Sequence, residues 1–211
     1  MTEKEKLIVL GAGGHASVVV EAAMANNPSC HVEVFDMAAV DTKFLGFPLT
    51  TGMPNPAAFP VSEFKAIVAI GNAYVRTKLC AELKAMGYQL ANVIHPRAWV
   101  SPTAQLATGV FVGANATVNS QASLGVAVIV NTGAVVEHHC VLKDGVHIAP
   151  GAVLAGAVKI GHRSFVGANT AVKEAVEVGD DVAIGAGSFV GKIITKSGTF
   201  VGVPVREMKE D

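Results

Sequence analysis

The chain has 211 residues, of which 51% are hydrophobic and 16% charged, and its formal net charge is −1. No apolar run approaches the roughly 18 residues that a membrane-spanning helix needs, and no basic block points to nucleic acid as a partner. The N-terminal stretch lacks the features of a secretory signal peptide, and three cysteines at unpaired spacing argue against a disulfide framework. These features predict a cytoplasmic protein.

The first elements of the chain alternate between strands and helices. A strand, a glycine-rich turn and a helix are predicted for KLIVLGAGGHASVVVEAAMAN, two strands for HVEVFDM and KAIVAIG, a helix for AYVRTKLCAELKAMG and a fourth strand for YQLANVIH. The segment FLGFPLTTGMPNPAAFP is rich in proline and glycine, which predicts a loop. This alternation is typical of a small, Rossmann-like parallel α/β domain, which we expect over residues 1–95.

The glycine-rich turn carries a dinucleotide-binding pattern. Gly11, Gly13 and Ala16 fit G-x-G-x-x-A between a strand and a helix, and Asp36 lies at the end of the second strand. A complete dinucleotide fold needs two βαβαβ halves, and this domain has room for one. We therefore interpret the turn as a phosphate-binding helix N-terminus rather than part of an NAD-dependent oxidoreductase. A purely structural glycine turn is the alternative.

The rest of the chain repeats every six residues. Sixteen positions spaced by six, from Val100 to Val190, all hold Val, Leu or Ile, and the residue two before each is small or valine. Each hexapeptide predicts a short strand and a tight turn, three make a triangular coil, and successive coils stack as parallel strands. The spacing predicts a parallel β-helix over residues 96–211, closed by the tail GTFVGVPVREMKED.

Three histidines lie close together in the repeat. His138 and His139 follow the inward Val136 and are expected on an outward turn, and His147 precedes the inward Ile148. Such a cluster could bind a metal, but adjacent side chains diverge on an extended backbone, so we expect no metal. Solvated surface histidines are the simplest alternative.

Counting by coils places one glycine beside the first of these histidines. Gly156 follows His138 by 18 residues, one coil, and is therefore expected on the same corner. A histidine base beside a backbone N–H that supports an oxyanion is a plausible acyl-transfer site. Cys140 occupies an inward position, which favours packing over a nucleophilic role.

Five segments together resemble one family. GAGGHA, AIGN, NTGAVVEHHCVL, HIAPGAVLAG and FVGVPVREM occur in the order typical of PglD-type acetyltransferases of bacterial amino-sugar pathways, a group similar to the NeuD-type sialic acid O-acetyltransferases. The resemblance spans nearly the whole chain. It implies a left-handed β-helix, a homotrimer, an N-terminal α/β domain that holds a nucleotide sugar, and acetyl-CoA between neighbouring β-helices.

The resemblance also implies roles for individual residues. His138 matches the general base, Asn131 a residue near the acceptor amine, Gly156 the group that meets the acetyl carbonyl, and His147 an acetyl-CoA contact. Ala168 and Ala186 match positions along the CoA groove. Contacts to the nucleotide sugar are expected at Gly13, Gly14, His15, Asp36, Gly71 and Asn72. One position departs from the family, because His139 stands where an acidic residue would orient the base. Glu137, on the other side, is expected to point elsewhere.

The sequence thus predicts an acetyl-CoA-dependent N-acetyltransferase that acts by direct transfer. The expected acceptor is a UDP-linked 4-amino-4,6-dideoxy sugar of a bacillosamine-type glycan pathway. O-acetylation of a sialic acid or another sugar hydroxyl is the nearest alternative. A nucleotide-sugar-binding scaffold without catalysis is the alternative from another class.

Overall fold

The computed structural model describes residues 5–208. They divide into two compact units with the boundary between Pro96 and Arg97. We call residues 5–96 the first unit and residues 97–208 the second unit.

Within residues 5–96, a mostly parallel sheet is combined with two helices. Its elements are β1 (Lys6–Leu10), α1 (Gly14–Asn26), β2 (His31–Asp36), β3 (Lys43–Phe44), β4 (Phe47–Thr51), β5 (Phe64–Val68), α2 (Ala73–Ala85), β6 (Gln89–Leu90) and β7 (Val93–Ile94). Six of the strands form a sheet in the order β3-β4-β2-β1-β5-β6. The central strand β1 is fully apolar in its last four residues and almost completely buried, as expected where both faces of a parallel sheet are covered. The predicted parallel α/β fold is confirmed.

The segment predicted as a loop contains a hairpin, so that prediction was wrong. Leu45 and Gly46 have positive φ values of 50° and 85°, which is the backbone of a two-residue hairpin turn. Strands β3 and β4 pair antiparallel across it, and β4 then joins β2 in parallel register with Val34 opposite Leu49. The predicted fourth strand was also too long, because it is split into β6 and β7.

Within residues 97–208, sixteen short strands form a parallel β-helix of just over five coils. They are β8 (Trp99–Val100), β9 (Gln105–Leu106), β10 (Phe111–Val112), β11 (Thr117–Val118), β12 (Ser123–Leu124), β13 (Ile129–Val130), β14 (Val135–Val136), β15 (Val141–Leu142), β16 (His147–Ile148), β17 (Val153–Leu154), β18 (Lys159–Ile160), β19 (Phe165–Val166), β20 (Ala171–Val172), β21 (Glu177–Val178), β22 (Val182–Ile184) and β23 (Phe189–Val190). Every third strand pairs in parallel, which produces three sheets. The predicted β-helix is therefore confirmed.

The repeat sets the core of the second unit. From Val112 to Val190 each aliphatic residue of the six-residue series is at most 3% exposed, whereas Val100 and Leu106 in the first coil are half-buried. Polar residues in the small inward positions are satisfied internally. Ser164 Oγ donates to the Gly179 carbonyl at 2.7 Å, and Thr170 Oγ1 donates to the Gly185 carbonyl at 2.9 Å. Such bonds remove the penalty of burying a hydroxyl.

The tail extends one sheet and then folds back. Strand β24 (Gly198–Gly202) pairs in parallel with β22, and β25 (Val205–Glu207) pairs antiparallel with β24. Lys196 and Glu207 form an ion pair at 2.5 Å beside this hairpin. No helix among residues 5–208 is both long and apolar enough to cross a membrane.

Two edges of the β-helix organise the candidate site. Turns 120–121, 138–139, 156–157 and 174–175 stack on one edge, which we call the base edge. Turns 114–115, 132–133, 150–151, 168–169 and 186–187 stack on another, which we call the amide edge. The sheet of β8, β11, β14, β17, β20 and β23 runs between them, and we call its outward side the flat face.

Candidate active site

On the base edge, the His138 ring lies directly against Gly156. The Ala157 N–H donates to the His138 carbonyl at 2.9 Å, which stacks the two turns. A Cβ added to Gly156 would lie 2.6 Å from Cε1 and 2.8 Å from Nε2 of His138. Real Cβ atoms do not approach other atoms this closely, so any side chain at this position would displace the His138 ring from the place it occupies. The pairing expected from the 18-residue spacing is present in the structure.

The Gly156 N–H is available for a ligand. No group within residues 5–208 accepts a hydrogen bond from it, whereas the Gly156 carbonyl accepts one from the Ala175 N–H at 2.9 Å. A backbone N–H with no internal acceptor, held beside a histidine, is suited to a developing oxyanion.

His138 also contacts the next residue. The Nδ1 atoms of His138 and His139 are 3.0 Å apart, and the two rings meet edge to face with centroids at 5.1 Å. The expectation that adjacent histidines would diverge was wrong, because His139 is in the left-handed region with φ of 60° rather than on an extended backbone. Glu137 instead uses Oε2 to accept from the His138 backbone N–H at 3.2 Å.

A second group of predicted residues lies near the amide edge. Asn131 Nδ2 and His147 Nε2 are 3.2 Å apart, and the His147 ring packs edge to face on Phe165. Ala168 and Ala186 occupy turns one coil apart on the same edge. Within one chain the structure therefore groups Asn131 with His147, and His138 with Gly156, but the flat face separates the two groups.

In the first unit, the glycine-rich turn is open at the start of α1. Gly13 is the N-cap of α1, and no side chain caps the helix. A Cβ added to Gly13 or Gly14 would meet nothing within 4 Å, whereas one on Gly11 would come within 2.8 Å of the Ala69 carbonyl oxygen. Gly11 is thus needed by the fold, and Gly13 and Gly14 leave room beside the N-terminus of α1, where backbone N–H groups attract phosphate.

Asp36 holds this turn and borders a cavity. Its Oδ2 accepts from the Ala12 N–H and its Oδ1 from the Ala38 N–H, both at 2.9 Å. The cavity beside it has a volume of about 290 Å³ and is also lined by Lys43 and Phe44. These two residues were not predicted from the sequence, because they belong to the hairpin that was predicted as a loop. The Leu45-Gly46 dipeptide between two short apolar segments was the available signal.

The other turn of the first unit is held by a buried arginine. Arg76 is 1% exposed, and its Nη1 donates to the Ile70 and Gly71 carbonyls at 2.9 and 2.7 Å. Asn72 caps α2 by accepting from the Val75 N–H at 3.1 Å. Arg76 was also missed, although its place among the buried residues of α2, with Leu79, Cys80 and Leu83, was a visible signal.

Burial controls protonation of the groups inside this unit. Burial, and next the positive charge of Arg76, lowers the pKa of His15 to about 4, so the ring is neutral near pH 7. Burial lowers the pKa of Arg76 to about 10, which leaves the guanidinium protonated. His15 therefore offers a neutral hydrogen-bonding ring at the start of α1.

Among the described residues, the cysteine next to the two adjacent histidines is buried in the packing of the β-helix. Cys140 is buried, its Sγ lies 3.2 Å from the Ala155 carbonyl oxygen, and burial raises the pKa of its thiol to about 11. Thiolate is the reactive form, so this thiol is inert near neutral pH. In the part of the chain described, residues 5–208, no three His, Cys, Asp or Glu side chains are grouped to hold a metal ion.

Comparison with known proteins identifies the family. Residues 6–83 match the family described as the PglD N-terminal domain, and residues 157–192 match the bacterial transferase hexapeptide family. The acetyltransferase domain of PglB from Neisseria gonorrhoeae, solved with acetyl coenzyme A, is 35% identical with a TM-score of 0.91, over 97% of this chain and 100% of that chain. The chain belongs to the PglD-type acetyltransferases.

A second solved structure has a similar level of identity. PerB from Caulobacter crescentus, solved with CoA and GDP-perosamine, is 35% identical with a TM-score of 0.89, over 97% of each chain. Two further structures of this perosamine N-acetyltransferase have one histidine replaced, by asparagine or by alanine, and are 34% identical to this chain. The predicted family and the predicted enzyme class, an acetyltransferase, are confirmed.

Proposed function

We propose that the protein transfers the acetyl group of acetyl-CoA to the amine of a UDP-linked 4-amino-4,6-dideoxy sugar. The observation that carries this proposal is the His138 ring against Gly156 on the base edge, where a base and a free N–H lie side by side. The bound acetyl-CoA and nucleotide sugar of the relatives support the two substrate classes.

In the proposed reaction the amine of the acceptor attacks the thioester carbonyl carbon. His138 accepts the amine proton at Nε2, because Nδ1 already contacts His139. The Gly156 N–H donates to the oxyanion of the tetrahedral intermediate. When the intermediate collapses, the C–S bond breaks, the amide remains on the sugar and CoA leaves as the thiol after taking up a proton. The inert thiol of Cys140 is consistent with direct transfer without an acyl-enzyme intermediate.

The first unit supports a nucleotide-linked acceptor. The uncapped start of α1 at Gly13 and Gly14 suits a diphosphate, and the cavity beside Asp36 has room for a nucleoside. His15 follows strand β1, and Gly71 and Asn72 follow the neighbouring parallel strand β5, on the side of the sheet where ligands of such sheets bind. A GDP-linked amino sugar is the second candidate, because PerB holds GDP-perosamine.

We further propose that the active enzyme is a homotrimer. A catalytic centre that uses both Asn131 and His138 needs two chains, because these residues lie at opposite sides of the flat face. That face carries exposed apolar side chains, with Trp99 at 59%, Val153 at 40% and Phe189 at 38% exposure. Three chains with their flat faces inward would bring the amide edge of each chain to the base edge of its neighbour, with Ala168 and Ala186 beside the proposed acetyl-CoA groove.

A substrate panel tests the acceptor. The protein with acetyl-CoA is offered a UDP-linked 4-amino-4,6-dideoxy sugar, GDP-perosamine, CMP-sialic acid, free sialic acid and the amino sugar without its nucleotide. Thiol release and mass spectrometry identify the products. We expect N-acetylation of the UDP-linked sugar. Preference for GDP-perosamine would show that the acceptor is linked to GDP rather than UDP. Preference for a sialic acid hydroxyl would overturn N-acetylation, and binding without turnover would indicate a scaffold.

Light scattering tests the trimer. We expect three copies of the 21.6 kDa chain and dissociation in Val153→Asp, since a charge on an apolar interface is costly. Lys159→Ala is the matched control, because Lys159 faces outward in the same coil but on another sheet. A fully active monomer would contradict the proposal.

A further inference from the structure

We propose that His139 is the positioning residue for the base His138. In this arrangement the His138 Nδ1–H donates to Nδ1 of His139, which fixes the tautomer that leaves His138 Nε2 free to accept a proton. The inference rests on the proposed role of His138 in acetyl transfer and adds to it the partner that orients the ring.

The turn geometry makes this contact possible. The second residue of each base-edge turn has positive φ, with 58° at Gln121, 60° at His139 and 59° at Ala157. The His139 N–H donates to the Ser120 carbonyl one coil below at 3.0 Å, which fixes the backbone. Histidine, asparagine and aspartate tolerate this conformation better than most residues. The side chain of the second turn residue can therefore reach back to the first, and the Nδ1 atoms meet at 3.0 Å.

Only one proton can lie between the two Nδ1 atoms. A neutral imidazole has one N–H donor and one acceptor nitrogen, whereas imidazolium has two donors. If His139 donated, the neutral His138 would carry its proton on Nε2 and could not act as a base there. If His138 donates, Nε2 is free, and the imidazolium formed during catalysis keeps the same hydrogen bond. The second arrangement is the one that supports proton acceptance from the acceptor amine.

Within residues 5–208 of one chain, no side chain other than that of His139 forms a hydrogen bond with the His138 ring. Below and above, the stacked turns hold Ser120 with Gln121 and Gly156 with Ala157, and none of these side chains titrates. Glu137 is the nearest carboxylate along the chain, and its Oε2 accepts from the His138 backbone N–H rather than from the ring.

Substituting His139 separates its chemistry from its packing. His139→Ala removes the acceptor and introduces the residue that occupies this turn position in the next two coils, Ala157 and Ala175, both at positive φ. His139→Asn keeps an acceptor oxygen near the place of Nδ1, and His139→Asp places a carboxylate there. Gln121→Ala is the matched control, at the same turn position one coil below and exposed.

Nitrogen NMR of the histidine rings is the test that does not depend on activity. In the wild type at pH 8 we expect His138 to be protonated on Nδ1 and His139 on Nε2. In His139→Ala we expect the Nε2–H tautomer of His138 to appear, and in His139→Asn the Nδ1–H tautomer to return. Protonation of His138 on Nε2 in the wild type would overturn the proposal, and so would an unchanged His138 tautomer in His139→Ala.

Kinetics give the second readout. We expect kcat of His139→Ala to fall about 10- to 100-fold, part of the full worth of a general base, with KM for acetyl-CoA nearly unchanged. His139→Asp should restore kcat and move the acid limb of its pH profile upward, because a carboxylate stabilises the imidazolium. Wild-type kcat in His139→Ala overturns the proposal. Full activity of His138→Ala would instead overturn the proposed function while leaving the tautomer measurement intact.

Discussion

The two units assemble their candidate sites by different means. In the second unit His138 and Gly156 meet because they are one coil apart, so the contact follows from counting along the repeat. In the first unit the Gly11 turn, Asp36 and Gly71 follow three different strands, which the topology β2-β1-β5 brings together at one edge. A contact between neighbouring coils of a regular repeat can therefore be located from the sequence alone. A site on an open sheet can be located only when the order of the strands is known.

The largest effect is expected from the base. His138→Ala should lower kcat about 10²- to 10⁴-fold, the usual worth of a general base. Folding should be preserved, because an outward turn residue contributes little to the core. Steady-state kinetics with circular dichroism check both parts. Near wild-type turnover would show that His138 is not the general base and that the base edge does not hold the catalytic centre.

A smaller loss is expected from its neighbour one coil above. Gly156→Val should lower kcat about 10²- to 10³-fold, comparable to the loss of one oxyanion donor, because the added Cβ falls on the His138 ring. Calorimetry should show intact nucleotide-sugar binding, since that ligand is proposed for the first unit. Normal kinetics would show that counting coils located a packing contact and not a catalytic one.

In the first unit, the arginine should matter for local stability. Arg76→Met leaves the Ile70 and Gly71 carbonyls without their donor, which should cost about 2–4 kcal/mol of unfolding free energy in this unit. Hydrogen exchange of β1 amides measures it, and nucleotide-sugar affinity should fall as well. The control Lys78→Met changes an exposed side chain of the same helix, and a loss as large as that of Arg76→Met would contradict a special role for Arg76.

The smallest effect is a pH dependence. The pKa of His15 is lowered from 6.5 to about 4 by burial and by Arg76. Between these values the unfolded state binds more protons than the folded state, so unfolding free energy decreases as pH falls from about 6.5 to 4. The decrease is at most about 3 kcal/mol. Hydrogen exchange of α1 amides at several pH values should show it, and the same slope in His15→Asn would exclude His15 as its source.

The features that could be predicted from the sequence are those that depend on residues at a regular spacing along the chain. The inward series from Val112 to Val190 and the pairing of His138 with Gly156 depend on a period that is visible in the chain. Lys43 and Phe44 were missed because they reach the Asp36 cavity through parallel pairing of β4 with β2, which no local pattern encodes. The His138–His139 contact was missed for a smaller reason, the positive φ of one turn residue.

The 18-residue coil also limits how the length of this protein can change. A hexapeptide inserted between His138 and Gly156 would carry the glycine to another edge of the prism, and a whole inserted coil would put a layer of about 4.8 Å between the two residues. Either change would abolish their contact. Whole coils added above Gly156, before the β24–β25 hairpin, would leave it unchanged. Evolutionary lengthening of the β-helix is therefore expected in steps of complete coils after Gly156. Insertions between His138 and Gly156 are expected to be lost.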